Sequence, residues 1–283
     1  MSDKFEEIYK AIKTLKIQGA ENVAKAALKA LRYRNDKKAI ARLVKLRPTE
    51  PALRNAIALT MTIVDKGKSW DEAIRTIEQY FETFDKKVEE YAARIIENDS
   101  VIYTHCHSNT VERVLKLAKM LGKEFKVYVT ETRPLFQGRI TAERLAKAGI
   151  QVVLGVDSNA THFIKKADMF LFGADAITAE GNVINKIGTN MFAEIAQRYD
   201  VPCYCLTIGL KYDPATKYGY EEPIEERSSK EVWEKKIRNV KIVNPAFEIV
   251  EAKNINAIIS EFGILSPAQF VIEANKLWRD SLI

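Results

Sequence analysis

The feature that most constrains this chain is an abrupt change of period near Asp99. Before it, apolar residues recur at three and four, as in Phe5, Ile8, Ile12 and Leu15 and in the Ala-rich stretch AENVAKAALKAL, so residues 3–97 read almost wholly as helix. Two breaks are expected there: Gln18-Gly19-Ala20, and the loop Arg47-Pro48-Thr49-Glu50-Pro51, whose prolines force the backbone out of the helix. After Asp99, short runs of apolar and β-branched residues alternate with helical segments. The runs are 101–105, 125–131, 150–156, 168–174 and 202–208, with a weaker one at 240–244. The helical segments between them are 110–121, 139–148, 159–166 and 189–199.

Such alternation is the pattern of a parallel sheet with helices on both faces. The chain is therefore expected to be α/β: an N-terminal all-helical domain over 1–98, followed by a Rossmann-like, doubly wound parallel sheet over 99–283. A length of 283 residues accommodates both.

Composition narrows the function classes. The net charge of +6 is spread along the whole length, with no clustered basic face or stacking motif, so nucleic acid is not an expected partner. No apolar run approaches the roughly 18 residues of a membrane span, and the opening MSDKFEEIYKAIKTL is charged and helical in pattern, unlike an export signal. With only three cysteines and no disulfide framework, the expected location is the reducing cytoplasm. A mildly basic protein of this kind suits an anionic metabolite.

In an open parallel sheet, ligands bind outside the carboxyl ends of the strands. Those ends carry Thr104-His105-Cys106-His107-Ser108, Thr130-Glu131-Thr132-Arg133, Val156-Asp157 and Gly173-Ala174-Asp175, with Lys211 shortly after the fifth strand. A thiol, carboxylates, an arginine and a lysine are thus expected on one rim. Cys106 precedes a helix start near Ser108 or Asn109, where the positive end of the helix would favour a thiolate and depress its pKa. It also reads as a small buried hydrophobe at a strand end. Strand alternation would send His105 and His107 to the face opposite Cys106, so His-Cys-His diverges and no metal site is expected.

The stretch GADAITAEGNVINKIGT, residues 173–189, is the most informative. It places Asp175 at a strand end, then a Gly-containing turn, then Asn185 and Lys186 before Gly188-Thr189 at a helix mouth. An acid and a lysine there suit a phosphorylated ligand with a proton to move, although Asp175 could equally cap a turn. Gly67-Lys68-Ser69 lacks the earlier glycine of a phosphate loop and follows no strand.

The segments THCHS, VTETRPLFQGRITAERL, VDSNA, GADAITAEGNVINKIGTN and NPAFE resemble, in order, the superfamily that unites the regulatory subunits of translation initiation factor 2B with methylthioribose-1-phosphate isomerase and archaeal ribose-1,5-bisphosphate isomerase. The likeness runs from Ile17-Gln18-Gly19-Ala20 to Glu261-Phe262-Gly263-Ile264, and residues 131–138 look especially like the last of these. Isomerases of the superfamily use a cysteine after the first strand and an aspartate in the GAD segment. Both are present here, as Cys106 and Asp175.

The resemblance implies an aldose–ketose isomerase converting ribose 1,5-bisphosphate to ribulose 1,5-bisphosphate in nucleotide (AMP) salvage. Protonated Asp175 would donate to the ring oxygen and Cys106 would serve C2. Ser108, Arg133, Gln137, Asn185, Lys186 and Lys211 would hold phosphates and hydroxyls, with no metal or organic cofactor. The alternatives it leaves are a non-catalytic factor 2B-type regulatory subunit and methylthioribose-1-phosphate isomerase. Three positions depart from the isomerase pattern. Gln18, beside Gly19 in the N-terminal phosphate turn, stands where an arginine is usual. His107 replaces an asparagine, and Ile208-Gly209-Leu210-Lys211-Tyr212 keeps a lysine but loses a glutamate. Arg47 or Arg54 is then the expected substitute cation. Implied partners are a phosphorylated sugar, a nucleotide effector and further copies of the chain, as a homodimer or homohexamer.

Overall fold

The structure is a computed structural model and describes residues 3–281. The N-terminal part is helical, with α1 at Lys4–Lys13, α2 at Ala20–Leu31, α3 at Lys37–Val44, α4 at Pro51–Asp65 and α5 at Trp70–Arg94. Two breaks beyond those expected appear, at 32–36 and 66–69. Their causes are local. The Asp36 side chain accepts from the N–H groups of Lys38 and Ala39, while Gly67 takes φ +92° and Ser69 forms a capping box with Glu72. Gly67-Lys68-Ser69 is therefore a helix-to-helix turn.

The rest of the chain runs β1 Ser100–Thr104, α6 Asn109–Met120, β2 Phe125–Thr130, α7 Gln137–Lys147, β3 Gln151–Gly155, α8 Ala160–Ile164, β4 Met169–Gly173, β5 Ala176–Ile177, β6 Val183–Lys186, α9 Thr189–Arg198, β7 Cys203–Leu206, α10 Ser229–Val232, β8 Phe247–Val250, β9 Ala257–Ser260, β10 Gly263–Leu265 and α11 Pro267–Ser281. The main sheet has seven strands in the order β10-β9-β7-β4-β1-β2-β3, parallel throughout except for the β9–β10 pair.

Two apolar clusters cover its faces. Val111, Val114 and Leu115 of α6 and Leu145 of α7 join Val88 and Ala92 of α5 on one side. Phe163 of α8, Ala193 and Ala196 of α9 and Phe270 of α11 lie on the other. The α/β architecture expected from the sequence is the one observed. The first cluster continues without interruption from Phe5 through the N-terminal helices to Ile102 and Ile259, so the helical part and the sheet share a core.

Three details depart from expectation. Residues 240–244 form no strand: Val240 and Val243 are exposed, and the following residue, Pro245, makes only an isolated bridge to Glu226. Residues 173–189 form more than a turn, because β5 and β6 make a hairpin that β8 extends into a three-stranded antiparallel sheet. The C-terminal strands β9 and β10 fill out the main sheet beside β7.

Strand order reverses at the centre, because β1 leads to β2 and β3 on one side while β4, β7 and β9 follow on the other. The crevice at this switch point opens at the carboxyl ends of β1 and β4. Cys106 and Asp175 follow those two ends.

Candidate active site

Strand β1 stops at Thr104, and Cys106 takes φ +64°, a left-handed conformation that costs a non-glycine residue about 1 to 3 kcal/mol. Hydrogen bonds on both sides hold it there. The Cys106 N–H donates to Thr132 Oγ1 at 3.0 Å, and Thr141 Oγ1 donates to the Cys106 carbonyl at 2.7 Å. Asp157 fixes the neighbouring loop by accepting from the N–H groups of Thr132 at 2.8 Å and Arg133 at 2.7 Å. Its carboxylate is thus a loop anchor and not a member of the cavity wall.

The left-handed turn also ends strand alternation, so the two histidines part company in a way the sequence pattern did not foresee. His105 is buried against Phe192, bonded to Thr130 Oγ1 at 3.1 Å and to the Ile187 carbonyl at 3.0 Å, and burial lowers its pKa to about 4. His107 instead joins Cys106 on the cavity wall. Because the one Thr141 hydroxyl proton goes to the Cys106 carbonyl, His107 Nδ1–H must donate to Thr141 Oγ1 at 3.0 Å. Ser108 caps α6, its Oγ accepting from the Val111 N–H. Gly173 lets β4 lie close to that cap, since a Cβ there would sit 2.6 Å from Ser108 Oγ.

These elements enclose a cavity of about 590 Å³. Its wall brings together Gln18, Gly19, Arg47, Cys106, Ser108, Gln137, Asp175, Asn185, Lys186 and Lys211, ten positions named from the sequence. Arg133 is not among them. It points outward, donating to the Val232 carbonyl at 3.1 Å and lying over Phe136, because the Phe136 N–H bonds back to the Thr132 carbonyl and turns Pro134, Leu135 and Gln137 toward the cavity instead. Arg54 is likewise absent from the wall, engaged with the Pro48 carbonyl, Asp213 and Glu222. Glu131 pairs with Arg139.

Glu50, Arg144, Glu225, Arg227, Glu231 and Asn244 line the cavity without having been anticipated. Glu50 lay inside a loop read only for its prolines and for Arg47. Of the others, Arg144 comes from a helix face, Glu225, Arg227 and Glu231 from a segment with no strand-end signal, and Asn244 from the end of the weak run at 240–244.

The electrostatics separate the groups. Burial raises the Asp175 carboxyl above its ordinary range against the pull of Lys211, Lys186 and Arg47, which favours a proton on it. Lys211 Nζ is itself fixed by the Ala174 carbonyl at 2.7 Å. Burial also pushes the Cys106 thiol up, with Lys186 opposing, so the depressed pKa expected at a helix mouth is not found. Two causes account for this: Ser108 caps the helix, and the thiol is enclosed.

Glu50 is 1% exposed, and burial pushes it up to about 7 although Arg47 Nη2 lies 2.6 Å from its Oε1. Arg47 Nε stands 3.3 Å from Glu225 Oε2, and Arg227 links Glu225 at 3.0 Å to Glu231 at 2.7 Å. Arg47 Nε and Nη1, Glu50 Oε2, Glu225 Oε2 and Gln137 Oε1 are buried without a hydrogen-bond partner among the described residues. Arg47 Nε and Glu225 Oε2 still face each other as an ion pair, which leaves Arg47 Nη1, Glu50 Oε2 and Gln137 Oε1 as the polar atoms buried in the wall without a partner among the described residues.

Among the described residues, no group of three or more His, Cys, Asp or Glu side chains is placed to hold a metal ion. Cations, an acid whose pKa is raised and a thiol suit a phosphorylated polyhydroxyl ligand.

Comparison with known proteins agrees with this chemistry. The initiation factor 2 subunit family matches residues 9–267. Ribose 1,5-bisphosphate isomerase of Methanocaldococcus jannaschii is 36% identical, with 98% of this chain and 97% of that protein covered. Methylthioribose-1-phosphate isomerase of Heliobacterium modesticaldum is 33% identical, covering 91% and 86%. Among solved structures, the translation initiation factor eIF-2B of Pyrococcus horikoshii OT3 superposes with a TM-score of 0.84 at 26% identity, covering 96% of this chain and 100% of that one.

Proposed function

The chain belongs to the initiation factor 2 subunit family, and within it we propose that it is a sugar-phosphate aldose–ketose isomerase converting ribose 1,5-bisphosphate to ribulose 1,5-bisphosphate. The observation that carries this reading is one cation-lined cavity holding both a buried thiol, Cys106, and an acid whose hold on a proton is strengthened by desolvation, Asp175.

A phosphate on the anomeric oxygen blocks spontaneous ring opening. Asp175 donates its proton to the ring oxygen O4 as the C1–O4 bond breaks. A hydrogen then moves from C2 to C1, with Cys106 either, once ionised to the thiolate, taking it as a proton and returning it to C1 through an enediol, or assisting its passage as a hydride. Lys186, Lys211 and Arg47 hold phosphate oxygens, the capped mouth of α6 faces the same space, and Asn185, Gln137 and Gln18 bond hydroxyls. Enclosure strengthens each of these contacts by excluding water.

A purely regulatory subunit, the other branch of the family, has no use for a thiol and an acid of raised pKa in one cavity. The test is to incubate the protein with ribose 1,5-bisphosphate and, separately, with methylthioribose 1-phosphate, following products by NMR. Turnover of the second alone would move the assignment to the thioether sugar. Assembly as a homodimer or homohexamer belongs to the same proposal: the edge strand β3 and the residue after it expose Val153, Leu154 and Val156, apolar surface that a second copy would cover. Light scattering on the purified protein checks it.

A further inference from the structure

We infer that Glu50 is the second proton carrier of this site: its carboxylate takes the proton leaving the sugar 2-hydroxyl and passes it back to Asp175. The inference rests on the isomerase reading and on the stoichiometry of that reaction. Converting the cyclic aldose phosphate to the ketose moves two hydrogens. One goes from C2 to C1. The other leaves O2 as the C2 carbonyl forms, and O4 gains one as the ring opens. If Asp175 supplies the proton to O4, it has to regain one before the next turnover, and the proton leaving O2 is the one released in the same cavity, whichever route C2 follows.

Few groups can carry it. Cys106 serves C2, His107 gives its Nδ1–H to Thr141, and Glu231 is held by Arg227. Lys211 donates to the Ala174 carbonyl, and Lys186 is a cation facing the thiol and the acid. Glu225 is held by Arg227 and lies beside Arg47. Glu50 remains. It sits on the cavity wall at the start of α4, its Oε1 fixed by Arg47 and its Oε2 buried with no hydrogen-bond partner among the described residues.

The charged groups facing it come from every neighbouring element: Arg47 on its own loop, Asp175 after β4, Lys211 in the 209–211 turn and Glu225 in the segment before α10. Burial and the two carboxylates hold Glu50 up to about 7 against the two cations, so both of its forms are populated near neutral pH, which is what a carrier requires. The coupling also has the right direction, because neutralising Glu50 makes room for a negative charge on Asp175 and the reverse. In balance, Asp175–COOH and Glu50–COO⁻ become Asp175–COO⁻ and Glu50–COOH during isomerisation, and one proton transfer restores both.

The test is Glu50→Gln in the whole protein with ribose 1,5-bisphosphate as substrate. kcat is expected to fall about 100-fold or more with KM little changed, as for loss of a proton-transfer group. The wild-type kcat is expected to decline below a pH of about 7, and that limb should vanish in Glu50→Gln and return in Glu50→Asp. A rise in KM with kcat and the limb preserved would mean that Glu50 only holds Arg47, and would overturn the inference. If Glu50→Gln does not fold, the wild-type profile decides, since a kcat flat across that range excludes a carrier of this kind. Absence of wild-type turnover defeats the isomerase reading and this inference together, whereas turnover that survives in Glu50→Gln defeats this inference alone.

Discussion

Replacing Gly173 by alanine tests how the site is assembled. The new Cβ would lie 2.6 Å from Ser108 Oγ and 3.0 Å from Ser108 Cβ, so the serine must move. Its Oγ already accepts from the Val111 N–H at a long 3.4 Å, and any rotation away from β4 breaks that cap. Losing an N-cap costs about 1 kcal/mol. Residual overpacking between β4 and α6 adds about 1 to 3 kcal/mol. At about 2 to 4 °C per kcal/mol for a chain of this order of size, Tm should fall by about 5 to 15 °C in a thermal melt.

The decisive arm is Ser108→Gly placed on Gly173→Ala. It removes the obstructing side chain, and glycine as a cap costs only about a few tenths of a kcal/mol. Most of the lost stability should return. An unchanged Tm in Gly173→Ala, or no recovery in the double variant, would refute the packing argument and with it the claim that a glycine at the end of β4 sets the position of the α6 mouth.

Removing the buried cation in Arg47→Ala should raise KM for ribose 1,5-bisphosphate by about ten- to a hundredfold, the loss of one charge-assisted contact, while Gln18→Arg leaves KM unchanged or lowers it; steady-state kinetics reads both. Arg133→Ala should leave KM unchanged, because that side chain faces Val232 and not the cavity, and a tenfold rise would contradict the placement. Burial and the neighbouring Glu21 hold the Asp85 carboxyl above its ordinary range against Arg113, 3.0 Å away, so it stays protonated to higher pH when folded and its contribution to stability falls as pH rises above the unfolded value of roughly 3.9. Asp85→Asn should therefore raise Tm relative to wild type more at pH 8 than at pH 5, and equal gains at the two pH values would contradict the shift.

Much of the fold was legible because the periods are clean. β1 to β4 and β7 lie where short apolar runs predict them; strands buried on both faces need continuous apolar residues, and the edge strand β3 is apolar although it is largely exposed. The hairpin of β5 and β6 was not, because Ala176 and Ile177 are too few to make a pattern and Lys186 reads as a loop residue. Val240 to Val243 misled in the other direction: β-branched residues make a strand only where a neighbouring edge offers hydrogen bonds, and there they meet solvent.

Within the site, strand ends located Cys106, Asp175 and Lys211, and the helix mouth at Gly188-Thr189 located Asn185 and Lys186. Side-chain direction was out of reach. Arg133 and Asp157 sit at strand ends and still miss the cavity, because the turn at 132–136 decides which residues face inward. Glu50 carried no signal at all, since only the folded chain shows that a glutamate between two prolines is enclosed on the same cavity wall as Asp175.

The central claim is that Cys106 and Asp175 together isomerise a sugar bisphosphate, and ³¹P NMR of ribose 1,5-bisphosphate incubated with wild type, Cys106→Ser and Asp175→Asn tests it most directly. Loss of the substrate signal with appearance of ribulose 1,5-bisphosphate is expected for the wild type alone, with both variants folded and inactive. An unaltered substrate spectrum with wild type, or near-normal conversion by either variant, would contradict it.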